Sequence, residues 1–294
     1  MIPRVLTEAI RQLAGSIEGS DVQFGQVRPL GGGSINDACM IELSGRPYFV
    51  KWNSRIRHPG MFESEAHGLQ LLASTKTVKI PGVVGSGFGG DYAFLMLEYI
   101  EGGRPASDGW ERFGQKLAEL HRNTNEHFGL DRDNYIGSLP QVNSPHPTSW
   151  PEFFVESRLK PQLKMAMQRG HVSSTMQRQF EHLFQKIDQF FPVEPPALLH
   201  GDLWSGNYLF ASNGEACLID PAVYYGHREM DLAMSLLFGG FDKRFYDAYN
   251  EAWPMEKGWR ARMDLCNLYP LLVHVNLFGG GYASQVRAVL EQFV

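Results

Sequence analysis

The sequence predicts an α+β fold of two lobes: residues 1–101 as a lobe of antiparallel strands with a helix, and residues 102–294 as a mostly helical lobe. Three observations predict it. Apolar runs separated by glycine-rich turns crowd the first third of the chain, apolar positions at helical spacing dominate from Asp108 onward, and a glycine pair, Gly102-Gly103, stands between them. The chain has 294 residues, 43% of them hydrophobic, which is ample for cores of this size.

Taken in order, "MIPRVLTEAIRQLAG" reads as an amphipathic helix, since Arg4, Glu8 and Arg11 interrupt any apolar core of the kind a signal peptide carries. "FGQVRPL" and "DACMIEL" read as strands flanking "GGGSIN", and "RPYFVKWN" as a strand ending on Lys51. "GMFESEAHGLQLLAST" has helical periodicity, with Phe62, Ala66, Leu69 and Ala73 on one face. "VVGSGFGGDYAFLMLEYIEGG" reads as two strands joined by a glycine turn. In "DGWERFGQKLAELHRNT", Trp110, Phe113, Leu117 and Leu120 fall on one helical face. The polar, proline-rich stretch from Asn134 to Trp150 reads as a loop, and amphipathic helices follow to about Phe191. Short strands "ALLH" and "YLF" then bracket a polar loop, "ACLID" pairs with the second of them, and helices fill the remainder.

Composition excludes several function classes. A net charge of −5 without a basic block argues against nucleic-acid binding. Cys39, Cys217 and Cys266 have neither metal-ligand spacing nor a disulfide framework, so reduced thiols in a cytoplasmic protein are expected. The most apolar late run, "LYPLLVHVNLF", is too short to cross a bilayer. No membrane partner is therefore expected, and a monomer is the expected state. There is no G-x-x-x-x-G-K-[ST], G-x-S-x-G or H-E-x-x-H, which argues against a P-loop, a serine hydrolase and a zincin.

The chemistry concentrates in "LLHGDLWSGNYLF". Asp202 and Asn207 have the D-x-x-x-x-N spacing of the kinase catalytic loop, where Asp handles the attacking hydroxyl and Asn holds a metal. Asp220 follows the strand in "ACLIDPA". With Asn207 it offers the hard oxygen ligands that Mg²⁺ or Mn²⁺ takes alongside phosphate oxygens, although an Asp before a proline is also a common turn residue. Lys51 closes an apolar strand, and Glu65, unlike Glu63, falls on the packed face of the next helix, where a carboxylate needs a partner. Each of the two is also compatible with a solvated surface role. Gly31, Gly32, Gly33 and Ser34 form a turn whose amides suit phosphates, as well as an ordinary hairpin. The order glycine turn, lysine, glutamate, D-x-x-x-x-N, aspartate is the order a kinase requires.

The sequence resembles the fructosamine kinase (ketosamine-3-kinase) family of the protein-kinase-like superfamily. "LLHGDLWSGN" resembles its catalytic loop and "DPAVYYGHREMDLAM" its metal-binding segment, while "DNYIGSLPQVN", "SWPEFFVESRLKPQL" and "LYPLLVHVNLFGGGY" resemble further family runs. The resemblance implies ATP-dependent phosphorylation of the 3-hydroxyl of a small or protein-bound ketosamine, leading to deglycation. It implies Asp202 as base, Asn207 and Asp220 as metal ligands, and Lys51 and Glu65 as the phosphate-anchoring pair. Glu98, Tyr99 and Ile100 would be the hinge that meets adenine and Trp204 the substrate-facing aromatic, while His227, with Arg228 and Glu229, would be substrate-adjacent or equally part of a structural ion-pair group. Asp231 resembles the acid that bonds the catalytic-loop backbone, and His200 a residue that holds that loop. His121 and His274 read as core histidines. Some relatives carry a cysteine in the glycine-rich loop where Ser34 stands, so a disulfide switch is not expected. The competing readings are a kinase of the same fold acting on an aminoglycoside or choline, and a nucleotide-binding protein without turnover.

Overall fold

In the computed structural model, which describes residues 2–19, 22–31 and 35–293, helix α1 (Arg4–Glu18) opens the chain. Strands β1 (Phe24–Leu30), β2 (Asp37–Leu43) and β3 (Arg46–Ser54) follow, then α2 (Met61–Ser74), β4 (Val83–Gly89) and β5 (Tyr92–Glu98). The expectations for Gly32, Gly33 and Ser34 lie outside the described residues. The strands form one antiparallel sheet in the order β1-β2-β3-β5-β4.

Each face of this sheet has its own helix, and the period-two alternation of strands sorts the side chains between them. Leu6, Ile10 and Ala14 of α1 pack with Val50 and Trp52 of β3 and with Phe94 and Met96 of β5. Phe62, Ala66 and Leu69 of α2 pack with Ala93, Leu95 and Leu97 of β5. Lys51 stands between Val50 and Trp52 in sequence, so it points to the α2 face. The α2 face predicted from periodicity holds for Phe62, Ala66 and Leu69, but Leu72 is buried where Ala73 was expected. The helix turns its larger residue inward at its last turn, because there the leucine gains more from burial.

The remaining elements are α3 (Gly109–His121), β6 (Asn134–Ile136), β7 (Leu139–Gln141) and α4 (Trp150–Phe153). Helix α4 continues through a π-helical turn, Phe154–Leu159, into α5 (Lys160–Gln168). Then come α6 (Ser174–Phe184), β8 (Ala197–Leu199), β9 (Tyr208–Phe210), β10 (Ala216–Leu218) and β11 (Tyr224–Gly226). Helices α7 (Glu229–Leu237), α8 (Lys243–Ala252), α9 (Trp259–Phe278) and α10 (Ala283–Phe293) complete the chain.

Two compact units result, and they do not follow chain order. Met1–Gly109 groups with Tyr208–Asp220, and Trp110–Asn207 groups with Pro221–Val294. The β9–β10 hairpin is tied into the first unit by backbone bonds, Gly103 N–H to Phe210 O at 2.6 Å and Leu218 N–H to Lys79 O at 3.0 Å. In the second unit β8 pairs antiparallel with β11, Leu199 opposite Tyr224. The strands on either side of the polar loop thus pair with different partners, β8 with β11 and β9 with β10. The stretch from Asn134 to Trp150, expected to be a loop, contains the paired strands β6 and β7 and buries Asn134, Gln141 and Asn143. These amides satisfy one another, Gln141 Nε2 donating to Asn134 Oδ1 at 2.8 Å and Asn143 Nδ2 to the same oxygen at 3.0 Å, which lets polar residues sit inside. Among the described residues no helix is long and apolar enough to cross a membrane.

Candidate active site

In the first unit the residues singled out by spacing converge on Lys51. Its side chain is 3% exposed, and its ammonium lies 2.6 Å from Glu65 Oε1 and 2.8 Å from Asp220 Oδ1. Burial works against the charged lysine, but Asp220 and Glu65 outweigh it and hold the ammonium above its ordinary pKa. Burial pushes the Glu65 carboxyl up to about 7, with Lys51 pulling the other way. Asp220 has φ +52°, a left-handed conformation that Asp tolerates better than most residues. Glu63 lies exposed on the outer side of α2. Glu98 ends β5, its carboxylate accepting from Gly82 N–H at 3.0 Å. Tyr99 receives a 2.6 Å hydrogen bond from Arg28 on its hydroxyl, and Ile100 is half-buried beyond it. Gly31 ends the described part of the glycine-rich turn.

The second unit carries the catalytic-loop residues. Asn207, 5% exposed, donates from Nδ2 to both the backbone oxygen and Oδ2 of Asp202, each at 2.8 Å. Asp202 N–H donates to His200 Nδ1 at 3.3 Å, and His200 is fully buried. One carboxylate fixes the start of the loop: Asp231, in the first turn of α7, accepts from His200 N–H at 2.7 Å and Gly201 N–H at 2.9 Å. Burial alone would raise the Asp231 pKa, yet His121, His200 and the Gly201 amide hold it below the ordinary carboxylate value. His121 is the core histidine expected, its ring between Asp231 Oδ2 at 3.2 Å and Tyr249 Oη at 2.9 Å. Gly201 is required here: its φ is +83°, and a side chain would stand 2.0 Å from Ala222 O.

Asp202 faces a cleft lined by Ile136, Tyr224, Met230, Met234, Tyr269 and His274, among others. Sequence reasoning missed this wall. A signal existed, because Met230 and Met234 are one helical turn apart, as are Pro270 and His274. His274, expected in the core, is half-buried at the cleft and donates from Nδ1 to Pro270 O at 2.7 Å. Behind the wall, Tyr269 donates its hydroxyl to Gln141 Oε1 at 2.7 Å. Arg158, in the π-helical turn, lies 3.9 Å from the Tyr224 ring centroid. Trp204 is 36% exposed beside Asp202 in the loop.

His227 corrects an expectation. Its ring is fully buried, 5.4 Å from the Phe191 ring, 6.0 Å from Trp150 and 3.7 Å from Glu194, so it offers no atom to a substrate. Burial pushes its pKa down to about 4. Arg228 and Glu229 are structural beside it, Arg228 paired with Glu194 at 2.9 Å and Glu229 with Arg262 at 2.5 Å.

The pattern of the family "Fructosamine kinase" matches residues 6–294. A protein of Synechocystis sp. named a probable ketoamine kinase is 40% identical, over 97% of this chain and 96% of its own. The chloroplastic protein-ribulosamine 3-kinase of Arabidopsis thaliana is 39% identical, over 94% of this chain and 85% of its own. A crystal structure from Thermobifida fusca, provisionally assigned to fructosamine-3-kinase, shares 38% identity with TM-score 0.84, covering 96% of this chain and 99% of that one. An aminoglycoside phosphotransferase structure, at 14% identity and TM-score 0.62 over 96% of this chain and 98% of that one, shares the fold alone. The chain has the protein-kinase-like fold and belongs to the fructosamine kinase family of phosphotransferases.

Proposed function

We propose that this protein transfers the γ-phosphoryl group of ATP to the 3-hydroxyl of a ketosamine, and that breakdown of the 3-phosphate frees the amine. The observation that carries the reading is Asp202: a carboxylate clamped by Asn207 at the wall of a cleft otherwise built largely of rings and methionines. Asp202 orients the hydroxyl and accepts its proton, and Asn207 keeps the carboxylate in one orientation. Lys51, kept charged by two carboxylates, is suited to phosphate oxygens. Glu98, Tyr99 and Ile100 would bond adenine through their backbone, and the turn from Gly31 to Ser34 would cover the phosphates. Trp204 would pack against the ketosamine.

A divalent cation, Mg²⁺ or Mn²⁺, fits the donors present. Asn207 and Asp220 offer oxygen ligands of the hard type, and the Asp220 side chain is 45% exposed. When bound, such an ion neutralises phosphate charge. We place the protein in the cytoplasm, acting as a monomer on small or protein-bound ketosamines.

ATP turnover against ribulosyl-, erythrulosyl- and fructosyl-lysine, with choline and an aminoglycoside as controls, tests the reading. A ketosamine should be preferred, and its phosphate should map to the 3-position. Preference for either control would overturn the substrate assignment. Asp202→Asn should cut turnover by about 10²–10⁴ while ATP still binds. Asp220→Ala, or excess chelator on the wild type, should abolish turnover even at saturating ATP. Full activity in either case would overturn the metal assignment.

A further inference from the structure

Arg158 is a fully buried cation in the second unit, and among the described residues no carboxylate pairs with it. Its hydrogen bonds go to neutral acceptors: the Val142 and Ser157 carbonyls at 2.5 and 3.1 Å, and Asn143 Oδ1 at 2.7 Å. Three rings surround the guanidinium, with centroids 3.9 Å away for Tyr224, 4.6 Å for Phe153 and 5.5 Å for Tyr269. Keeping a buried charge without a counter-ion is costly, and an apolar side chain of similar volume fills such a space at lower cost. The position therefore calls for a role that a packing residue cannot perform.

Arg158 lies in the π-helical turn Phe154–Leu159 between α4 and α5, a rare geometry that recurs at functional sites. It does not line the Asp202 cleft, but two of the rings it holds, Tyr224 and Tyr269, do. A polar chain runs from the guanidinium to the same wall. Asn143, which accepts from Arg158, donates to Asn134 Oδ1 at 3.0 Å, and Gln141 donates to that oxygen at 2.8 Å. Gln141 accepts from the Tyr269 hydroxyl at 2.7 Å and donates to Ala222 O at 3.0 Å. Asn134 donates to Val223 O at 2.8 Å. The Ala222 N–H in turn donates to His200 O at 2.9 Å, two residues before Asp202.

The ring contacts and the amide chain both end at the loop that carries Asp202. We propose that Arg158 is a positioning residue for phosphoryl transfer: it fixes Tyr224, Tyr269 and the Ala222-Val223 backbone, and these set the depth of Asp202 in the cleft. The planar guanidinium suits this task, since it stacks on ring faces while its N–H fork bonds in its own plane. Arg158 touches no reacting atom. It acts through Tyr224, whose ring would stand 3.3 Å from a side chain at Gly201, and through the chain from Asn143 to Ala222. The assignment rests on Asp202 being the base, as proposed above, and adds what holds its backbone from behind.

The experiment measures ATP turnover with ribulosyl-lysine in the wild type and in variants shown by circular dichroism to be folded at the assay temperature. Arg158→Met keeps a similar volume without charge or fork. It should lower kcat by about tenfold to hundredfold, the scale of a displacement of about 1 Å, with the KM for ATP unchanged. Arg158→Lys keeps a charge but loses the fork and should stay as slow. Tyr269→Phe removes only the hydroxyl at the far end of the chain. It should lower kcat by roughly threefold to tenfold, the worth of one hydrogen bond. Added to Arg158→Met it should cost little more, because the two act through one chain. Wild-type kcat in a folded Arg158→Met protein with a lower thermal midpoint would show that Arg158 only packs, and overturns the proposal. Wild-type kcat in Arg158→Lys assigns the effect to charge alone and overturns it too, as do independent losses in the double variant. Should Arg158→Met not fold, Tyr269→Phe decides, an unchanged kcat breaking the chain. Absence of turnover in the wild type overturns the ketosamine reading and this assignment with it, whereas wild-type turnover that the variants retain overturns this assignment alone.

Discussion

Glu63 and Glu65 are two positions apart in α2 and so fall on different sides of the helix, and only Glu65 reaches Lys51. The distinction was legible because strand and helix periods fix direction: Lys51 points to the α2 face, and Glu65 falls on the side of α2 that packs there. Lys51→Ala and Glu65→Ala should each weaken ATP use, and the double variant should be little worse than either, with a coupling of about 0.5–3 kcal/mol. Glu63→Ala should behave as wild type. Strictly additive losses in the double-mutant cycle would mean that the pair does not act together. His227 was not legible in the same way. Nothing in "GHREMD" says whether a histidine faces a cleft or the aromatic cluster of Trp150 and Phe191. Its burial has a pH signature. The ordinary value is 6.5 and the folded value about 4, so below 6.5 the unfolded chain takes a proton that folded His227 refuses. Stability from this residue is therefore present above pH 6.5 and drains as pH falls toward 4. His227→Gln should flatten the fall in thermal midpoint between about pH 7 and pH 5. An equal fall in the variant would exclude His227 as its source.

The catalytic loop is an element held by another element. Asp231, at the start of α7, accepts from two loop amides and sits against His121, so α7, α3 and the loop share one carboxylate. The sequence pointed to Asp231 through family resemblance. What it could not supply was His121, more than a hundred positions away in the chain and tied to the carboxylate only by folding. Asp231→Ala would leave the His200 and Gly201 amides without their acceptor, at about 1–3 kcal/mol for each buried group. The expected result is a lower denaturation midpoint together with a lower kcat, since the backbone carrying Asp202 loses its anchor. A variant that loses stability but keeps wild-type kcat would show that the loop holds its shape without the clamp. The β6–β7 hairpin shows the opposite limit of pattern reading. Polar, proline-rich composition predicted a loop, yet the stretch forms paired strands with Asn134, Gln141 and Asn143 interior because each amide finds a partner, and such pairing leaves no periodic trace.

At the scale of the whole molecule, chain order and compact units part company at Tyr208–Asp220, which groups with the first unit. A boundary drawn from glycines and composition follows the chain and has no access to a returning hairpin. The three cysteines offer a way to see this grouping in solution. Cys39 and Cys217 lie in the first unit and Cys266 in the second. All three are buried, and burial pushes their pKa values up, Cys39 to about 11, Cys217 to about 12 and Cys266 well above the ordinary thiol value. Native protein should therefore resist alkylation and keep its activity in mildly oxidising buffer, since the thiolate is the reactive form. A reversible loss of activity restored by dithiothreitol would overturn that. With rising denaturant, each thiol becomes reactive only when the structure around it opens. Pulsed alkylation read by mass spectrometry should label Cys217 together with Cys39, although Cys217 is far nearer to Cys266 in sequence. Labelling of Cys217 in step with Cys266 and ahead of Cys39 would mean that the hairpin opens with the helical unit, and that the grouping by contact does not describe how the molecule comes apart.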